Sequence, residues 1–334
     1  VEDDGAALRF ARSDLNVRRA PRIIVSNATR PGELDVILFE LTVQRRDALY
    51  AVDYGTGLVE LLRQEPNEGR LALPVPVLVE GDRLWLLTVS EDASRTTVRR
   101  IDPSDGSVRA EGEVSGAFEG CGAVLEGDFF FTRQDVLLVA RGIEGATSTV
   151  EPVRLSDASS CGGGLVVFQG GLVSLDRPVA GSPLRLWPVD PSSGDRGPGP
   201  LVEIDPGAWN AGLTEPGAPA FAFADGGVYV VSHDAGNLDL RYFPMAGGGD
   251  PDLRLHLEPS LFAELLLGPA TLSIERTTFL DVQDELAVVG IRLLEDAPDG
   301  RFFWHVWVVA DLRAGAVDVL SLGAVQQAVV LLPE

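Results

Sequence analysis

Five stretches of this chain share one pattern: a short apolar run, a turn of acidic residues or glycine, and a second apolar run. They are VLVEGDRLWLLTVS (77–90), AVLEGDFFFT (123–132), VVFQGGLVSL (166–175), AFADGGVYVVS (222–232) and FLDVQDELAVVG (279–290). A looser sixth, RIIVSNATRPGELDVILFEL (22–41), precedes them. A β-hairpin repeated in this way cannot bury its own apolar face, so it must stack on copies of itself. With Gly32, Gly81, Gly127, Gly170, Gly226 and Asp284 as turn markers, the intervals are 49, 46, 43, 56 and 58 residues. Each interval holds four short strands and their turns, which matches a β-propeller blade of about 40–50 residues. A parallel β-solenoid would need much shorter repeats.

The second half of each unit follows suit. ALYAVDYGTGLVELLR (48–63) alternates apolar and polar residues, turns at Gly55-Thr56-Gly57 and alternates again, and TTVRRIDPSDGSVRAEGEV (96–114) repeats the arrangement. Weaker echoes run through 183–204, 238–257 and 305–322, with Pro, Asp and Gly supplying the backbone angles that tight turns need. These Leu-Tyr-Ala-Val-Asp and Thr-Gly segments resemble the repeats of the quinoprotein-like and related bacterial β-propellers. The resemblance covers most of the chain and implies the fold. Leu61 or Leu62 stands where such repeats often carry Trp, so a quinone cofactor is not carried over.

The expectation is therefore an all-β chain, a β-propeller of six four-stranded antiparallel blades, with seven as the alternative. Residues 1–19 are read as a tether with a closing strand near GAALRFA, 20–322 as the propeller, and 323–334 as a C-terminal closing strand. Terminal strands that pair shut the ring and remove the sheet edges that invite aggregation. In PSLFAELLLG (259–268), Leu261, Phe262, Leu265 and Leu266 recur at helical spacing and predict a short amphipathic helix capping the ring.

Charge narrows the partners. The 334 residues carry a net charge of −23, and all 27 basic residues are arginine. Such a field repels phosphate backbones, which excludes nucleic acid, and favours a protein partner with a basic surface. The absence of lysine excludes Schiff-base chemistry and the phosphate-loop lysine. No run of apolar residues is long enough for a membrane-spanning helix. The opening VEDDGAA, which starts at Val1, reads as the remnant of a processed or tethered chain. Cys121 and Cys161 each sit just ahead of a hairpin, and equivalent positions in consecutive stacked units lie side by side. A disulfide there would stabilise by roughly 3–4 kcal/mol in the chain-entropy model and implies an oxidising, extracytoplasmic compartment. Two buried thiols are the alternative. Two Cys and three scattered His offer no zinc-ligand spacing.

Chemistry-bearing residues are sparse. Glu80, Asp82, Glu126, Asp128, Asp225, Asp284 and Glu285 lie in or beside the first turns, which in a propeller emerge on one face and would form an acidic ring. The ring would attract a metal ion or a basic partner; no run spaces like an EF-hand loop, although Asp102, Asp105, Asp296 and Asp299 lie in turn-like runs that would suit calcium. The ordinary reading is solvated turn acids. SEDAS (90–94) and SHDAG (232–236) resemble the sialidase Asp-box, a structural turn, and neither continues to Trp. His233, His256 and His305 fall in separate contexts. Ser232, His233 and Asp234 are adjacent in sequence, which does not make a triad. Asn27-Ala28-Thr29 is a sequon only in a host that reads it. The long loops, 64–74, 176–183, 205–219 and 295–300, are better placed for recognition, and Trp209 with Asn210 is their candidate anchor. Trp85, Trp304 and Trp307 lie in strands and read as core, with Trp187 similar. The function these observations favour is a non-catalytic, exported protein-binding or assembly scaffold. A propeller hydrolase or oxidoreductase with its site at the channel mouth, and a sugar-binding propeller, are the alternatives.

Overall fold

In the computed structural model the chain is an all-β ring of six blades. The structure describes residues 9–11, 22–27, 38–39, 42–43, 47–53, 58–65, 69–72, 77–80, 82–118, 121–133, 136–156, 164–176, 182–205, 221–224, 226–234, 237–245, 252–265, 271–297, 300–321 and 327–331. The strands run from β1 (Arg9–Ala11) and β2 (Arg22–Asn27) through a small hairpin, β3 (Leu38–Phe39) and β4 (Thr42–Val43), to β5 (Ala48–Asp53) and β6 (Leu58–Gln64). The second blade comprises β7 (Gly69–Leu71), β8 (Val77–Glu80), β9 (Arg83–Ser90), β10 (Arg95–Ile101) and β11 (Val108–Ser115). The third is β12 (Gly122–Leu125), β13 (Asp128–Arg133), β14 (Val136–Ala140) and β15 (Val153–Ser156). The fourth is β16 (Gly164–Phe168), β17 (Gly171–Leu175), β18 (Leu184–Val189) and β19 (Val202–Ile204). The fifth is β20 (Phe221–Ala224), β21 (Gly227–Asp234), β22 (Asn237–Pro244) and β23 (Asp252–Leu257). The sixth is β24 (Thr271–Gln283), β25 (Leu286–Ala297), β26 (Gly300–Asp311) and β27 (Ala316–Ser321), extended at its outer edge by β1. The last strand, β28 (Gln327–Leu331), returns to become the innermost strand of the first blade, in the order β28-β2-β5-β6.

That return corrects one sequence expectation. Residues 22–41 do not form the first hairpin of their unit. Arg22–Asn27 is a second strand, pairing with β28 on one side and β5 on the other, because the C-terminal strand already occupies the inner position.

The second strand of each blade explains the continuous apolar runs. Its side chains alternate between two faces, and both faces are covered because a blade has a neighbour on each side. On β9, Trp85, Leu87 and Val89 pack toward the third blade while Leu84 and Leu86 pack toward the first. On β25, Leu286 and Val288 face the first blade and Ala287, Val289, Ile291 and Leu293 face the fifth. The buried apolar residues fall into six clusters, one for each junction between neighbouring blades, including the junction where sixth meets first. There Phe279 and Trp307 meet edge to face at 5.0 Å, with Ile23, Val25, Tyr50 and Val330 around them.

The segment expected to be an amphipathic helix is a 3-10 turn, Pro259–Leu265. Phe262 is buried in the junction of the fifth and sixth blades, whereas Leu261 is exposed. A run this short satisfies too few of its own backbone groups to make a stable helix, and Phe262 anchors it inward; Leu266 lies outside the described residues.

The third turn of a blade shows why Asp-x-x-x-Gly recurs at 102–106, 190–194 and 311–315. Asp102 Oδ1 accepts from the backbone N–H of Ser104 at 2.8 Å and its Oγ at 2.5 Å, and Asp190 repeats this with Ser192 at 2.8 and 2.6 Å. Asp311 accepts from the N–H groups of Arg313 and Ala314. The closing glycine takes positive φ in all three, +71°, +79° and +65°. Gly106 carries a second constraint, since a Cβ there would collide with the Leu62 carbonyl of the first blade. Gly170 has a similar φ of +74° and nothing within 4 Å of that position. Gly170→Ala is expected to cost about 1 kcal/mol and Gly106→Ala about 3 kcal/mol. Denaturant midpoints of the two variants check this, and equal losses would show that the close approach between blades is unimportant.

Candidate functional site

Antiparallel blades divide their connections between two ends of the ring. The first and third turns of each blade open at one end, and the second turns and blade-to-blade links open at the other.

At the first end lie the turn acids. Glu80 Oε1 accepts from the backbone N–H of Glu126 in the next blade at 2.6 Å, and its Oε2 accepts from Trp85 Nε1 at 3.2 Å. Arg83 lies 3.8 Å from Glu80 and 4.0 Å from Glu144, which also holds Arg100 at 2.5 Å. Asp128 accepts from Arg141 and from the N–H of Gly142, both at 2.7 Å. Glu285 accepts from Arg313 at 2.6 Å. Asp82 and Glu126 are exposed, Asp284 completes the turn before β25, and Asp225 lies outside the described residues. Glu80, Asp128 and Glu285 are thus engaged locally by arginines and backbone N–H groups. Among the described residues no three His, Cys, Asp or Glu side chains gather as a metal-ligand set.

SEDAS is a turn as well. Asp92 Oδ1 accepts from Ser90 Oγ, Ser94 N–H and Ser94 Oγ at 2.6, 3.0 and 2.7 Å, and these bonds hold its pKa down at about 2.

The opposite end carries the exposed aromatics. The strands β24, β25 and β26 run 12 or 13 residues, whereas β27 pairs with β26 only between Trp307 and Asp311. The remainder, from Thr271 on β24 and Gly300 on β26, is a three-stranded ribbon on the side where the second turns open. Phe303 and Trp304 sit on it, 53% and 40% exposed, on opposite faces. This corrects the assignment of Trp304 to the core, which holds for Trp85 and Trp307. The apolar run FFWHVWVVA looks doubly buried in sequence, but its first half overshoots the outer strand that would shelter it. The one available signal was length, since the third strands of the other blades stop at eight residues or fewer.

Three tryptophans share one polar environment. Trp85 donates to Glu80, beside Arg83. Trp187 donates to Asp176 Oδ2 at 3.1 Å, while Arg196 binds Asp176 Oδ1 at 2.8 Å and lies 5.5 Å above the indole. Trp304 donates to Glu295 Oε2 at 2.7 Å. On the other face of the ribbon, Arg292 stacks on Phe303 at 4.7 Å and is clamped by Glu275.

His256 Nδ1 lies 2.7 Å from Asp239 Oδ1, directly opposite it across β22 and β23, and its Nε2 lies 3.8 Å from Glu258. The bond to Asp239 raises the imidazole pKa above its usual value. Burial pushes Asp239 upward, but the hydrogen bonds from His256 and Arg241 outweigh it and hold the carboxyl low. This is a cross-strand ion pair, and its histidine is spent on two carboxylates. Position 233 is the third histidine's place on β21, and His305 stands opposite Arg292.

On the innermost strand of the sixth blade, Asp281 Oδ2 accepts from the backbone N–H of Val330 at 2.6 Å and so fastens the closing strand to its neighbour. Burial drives its pKa up to about 6, opposed by the N–H groups of Val330 and Val282. The folded chain holds this proton more tightly than the unfolded one. The group's contribution is therefore intact below about pH 4, declines as pH rises to 6, and stays about 3 kcal/mol lower above that. Asp281→Asn keeps an acceptor for Val330 and removes the charge. It should raise stability by about 3 kcal/mol at about pH 7.5 and leave it unchanged near pH 4, as read from denaturant midpoints. The same change at both pH values would refute a titrating clasp.

Trp209 and Asn210, on the link from β19 to β20, and Cys161, the expected partner of Cys121, lie outside the described residues. Cys121 stands just before β12, its carbonyl accepting from Thr132 N–H at 3.0 Å. No helix among the described residues is long and apolar enough to cross a membrane.

The fold defines the chain as a six-bladed β-propeller. No protein-family model and no curated protein matches it. Among solved structures it is similar to TolB from Acinetobacter baumannii, over 93% of this chain and 66% of that one, with 10% identity and a TM-score of 0.50. A protein from Lactobacillus plantarum aligns over 94% of this chain and 100% of its own at 10% identity and a TM-score of 0.47. A quinoprotein alcohol dehydrogenase-like protein from Bacteroides thetaiotaomicron aligns over 93% and 67% at 13% identity and a TM-score of 0.40. At these identities the likeness to bacterial β-propellers is one of fold.

Proposed function

We propose that this propeller is a non-catalytic scaffold that binds another protein through the end of the ring bearing the second turns and blade-to-blade links, in an extracytoplasmic compartment. The observation that supports this most is the ribbon of the sixth blade, which holds Phe303 and Trp304 in water on a rigid three-stranded support. Large aromatics on a preorganised element are the residue types that anchor interfaces, since they bury much area for little lost side-chain freedom. The net charge of −23 favours a partner with a basic surface. Trp209 and Asn210, between β19 and β20 in sequence, belong to the same reading.

The test is co-purification of the full chain with stoichiometric neighbours from its native source. Replacing Phe303 and Trp304 together by Ser should reduce retention of such a neighbour about tenfold or more, and Trp209→Ala should weaken it further. Retention unchanged by all three substitutions would place recognition elsewhere and overturn the reading.

Export carries its own check. If the chain matures in an oxidising compartment, Cys121 and Cys161 are bridged, and intact mass after alkylation shifts only when a reductant is added first. Two thiols that alkylate in the native, unreduced protein would argue against both the bridge and the compartment.

A further inference from the structure

We propose that Trp304 and Glu295 form a subsite for the guanidinium of an arginine presented by the partner protein. The inference rests on the binding role proposed for this end of the ring and names the chemistry it would recognise.

The molecule supplies its own templates. At Trp187, the indole N–H donates to the Asp176 carboxylate, and Arg196 uses the other oxygen of that carboxylate while lying over the ring. At Trp85, the indole donates to Glu80, and Arg83 stands 3.8 Å from the same oxygen. At Phe303, the ring face and the Glu275 carboxylate hold Arg292 between them. In each case an aromatic side chain and a carboxylate accommodate a guanidinium, by stacking at Trp187 and Phe303 and by charge alone at Trp85.

Trp304 and Glu295 reproduce the first two elements. The indole N–H donates to Glu295 Oε2 at 2.7 Å, which fixes the carboxylate beside the ring. No arginine among the described residues pairs with Glu295 or stacks on Trp304. Glu295 and Trp304 share the face of the ribbon that continues into Leu293 and Ile274, both buried in the junction with the fifth blade. Arg292 is engaged on the opposite face. Among the described side chains none supplies this preformed aromatic–carboxylate pair with the cation that its counterparts hold, and the ring remains 40% exposed. A flat, weakly hydrated guanidinium matches it better than an ammonium, because it can stack on the indole and bond the carboxylate at once. The chain's negative field would draw such a segment in.

The test uses the full chain labelled at tryptophan indole nitrogens, with the Trp304 resonance assigned from Trp304→Phe. A short Gly/Ser peptide carrying a single arginine, capped at both ends, is titrated into the millimolar range beside its citrulline counterpart, which keeps the shape and loses the charge. The expected result is a saturating shift of the Trp304 signal with the arginine peptide, at least about fivefold weaker with a lysine peptide and absent with citrulline. Glu295→Gln should weaken the arginine response about five- to tenfold while the other indole signals stay in place, showing that the fold is intact. Equal shifts from arginine and citrulline peptides, or a response indifferent to Glu295→Gln, would overturn the subsite. If the subsite fails while Phe303 and Trp304 are still required to retain a native neighbour, the scaffold reading stands and only its arginine chemistry falls. If both fail, this end of the ring is not the binding face.

Discussion

Every blade of this protein is apolar on both faces, and the rest of the structure follows from covering them. A sheet with one buried face can end at water, but a sheet with two needs a neighbour on each side. Six such sheets satisfy one another only when the last meets the first, which is why the buried side chains form a cluster at each junction, with none left over at an open end. Closure is thus a requirement of the core. The inward return of β28, the edge-to-face contact of Phe279 with Trp307 and the grip of Asp281 on Val330 all act at the one junction that chain connectivity alone would leave open.

Polar residues were arranged around that demand. The aspartates of the third turns satisfy the backbone N–H groups of their own loops, and the arginines of the turn-bearing end are matched to carboxylates within or between blades. Exposed pairs of this kind contribute little to stability individually. Their effect is to keep so acidic a surface locally ordered. The aromatic ribbon differs, since Phe303 and Trp304 do nothing for the ring core that a shorter strand would not do. Apolar surface held in water by a rigid support is what calls for a binding explanation.

Much of this architecture was legible in the residues. The hairpin repeats announced blades because their turns impose φ values few residues tolerate, as at Glu126-Gly127 and Gln169-Gly170. What the repeats could not convey was which strand fills the inner place of the first blade, because the pairing of Arg22–Asn27 with Gln327–Leu331 joins segments some 300 residues apart in sequence. The ribbon was misread for a related reason. Alternation reports that a strand has two apolar faces, and whether something lies against each of them is a property of the neighbouring strands. Trp307 and Trp304 are three residues apart on opposite faces of one strand, and β27 pairs beside the buried one and ends before the exposed one.

The late arrival of β28 has a consequence for how the protein is made. Until Gln327–Leu331 is released from the ribosome, the first blade has no inner strand, and β2 presents a bare row of backbone groups beside Ile23 and Val25. Everything from β2 to β27 must therefore be synthesised with the first blade unfinished, a state prone to pairing with another nascent copy. The rate at which the final segment finds its slot would then set how much newly made protein matures and how much is lost to aggregates.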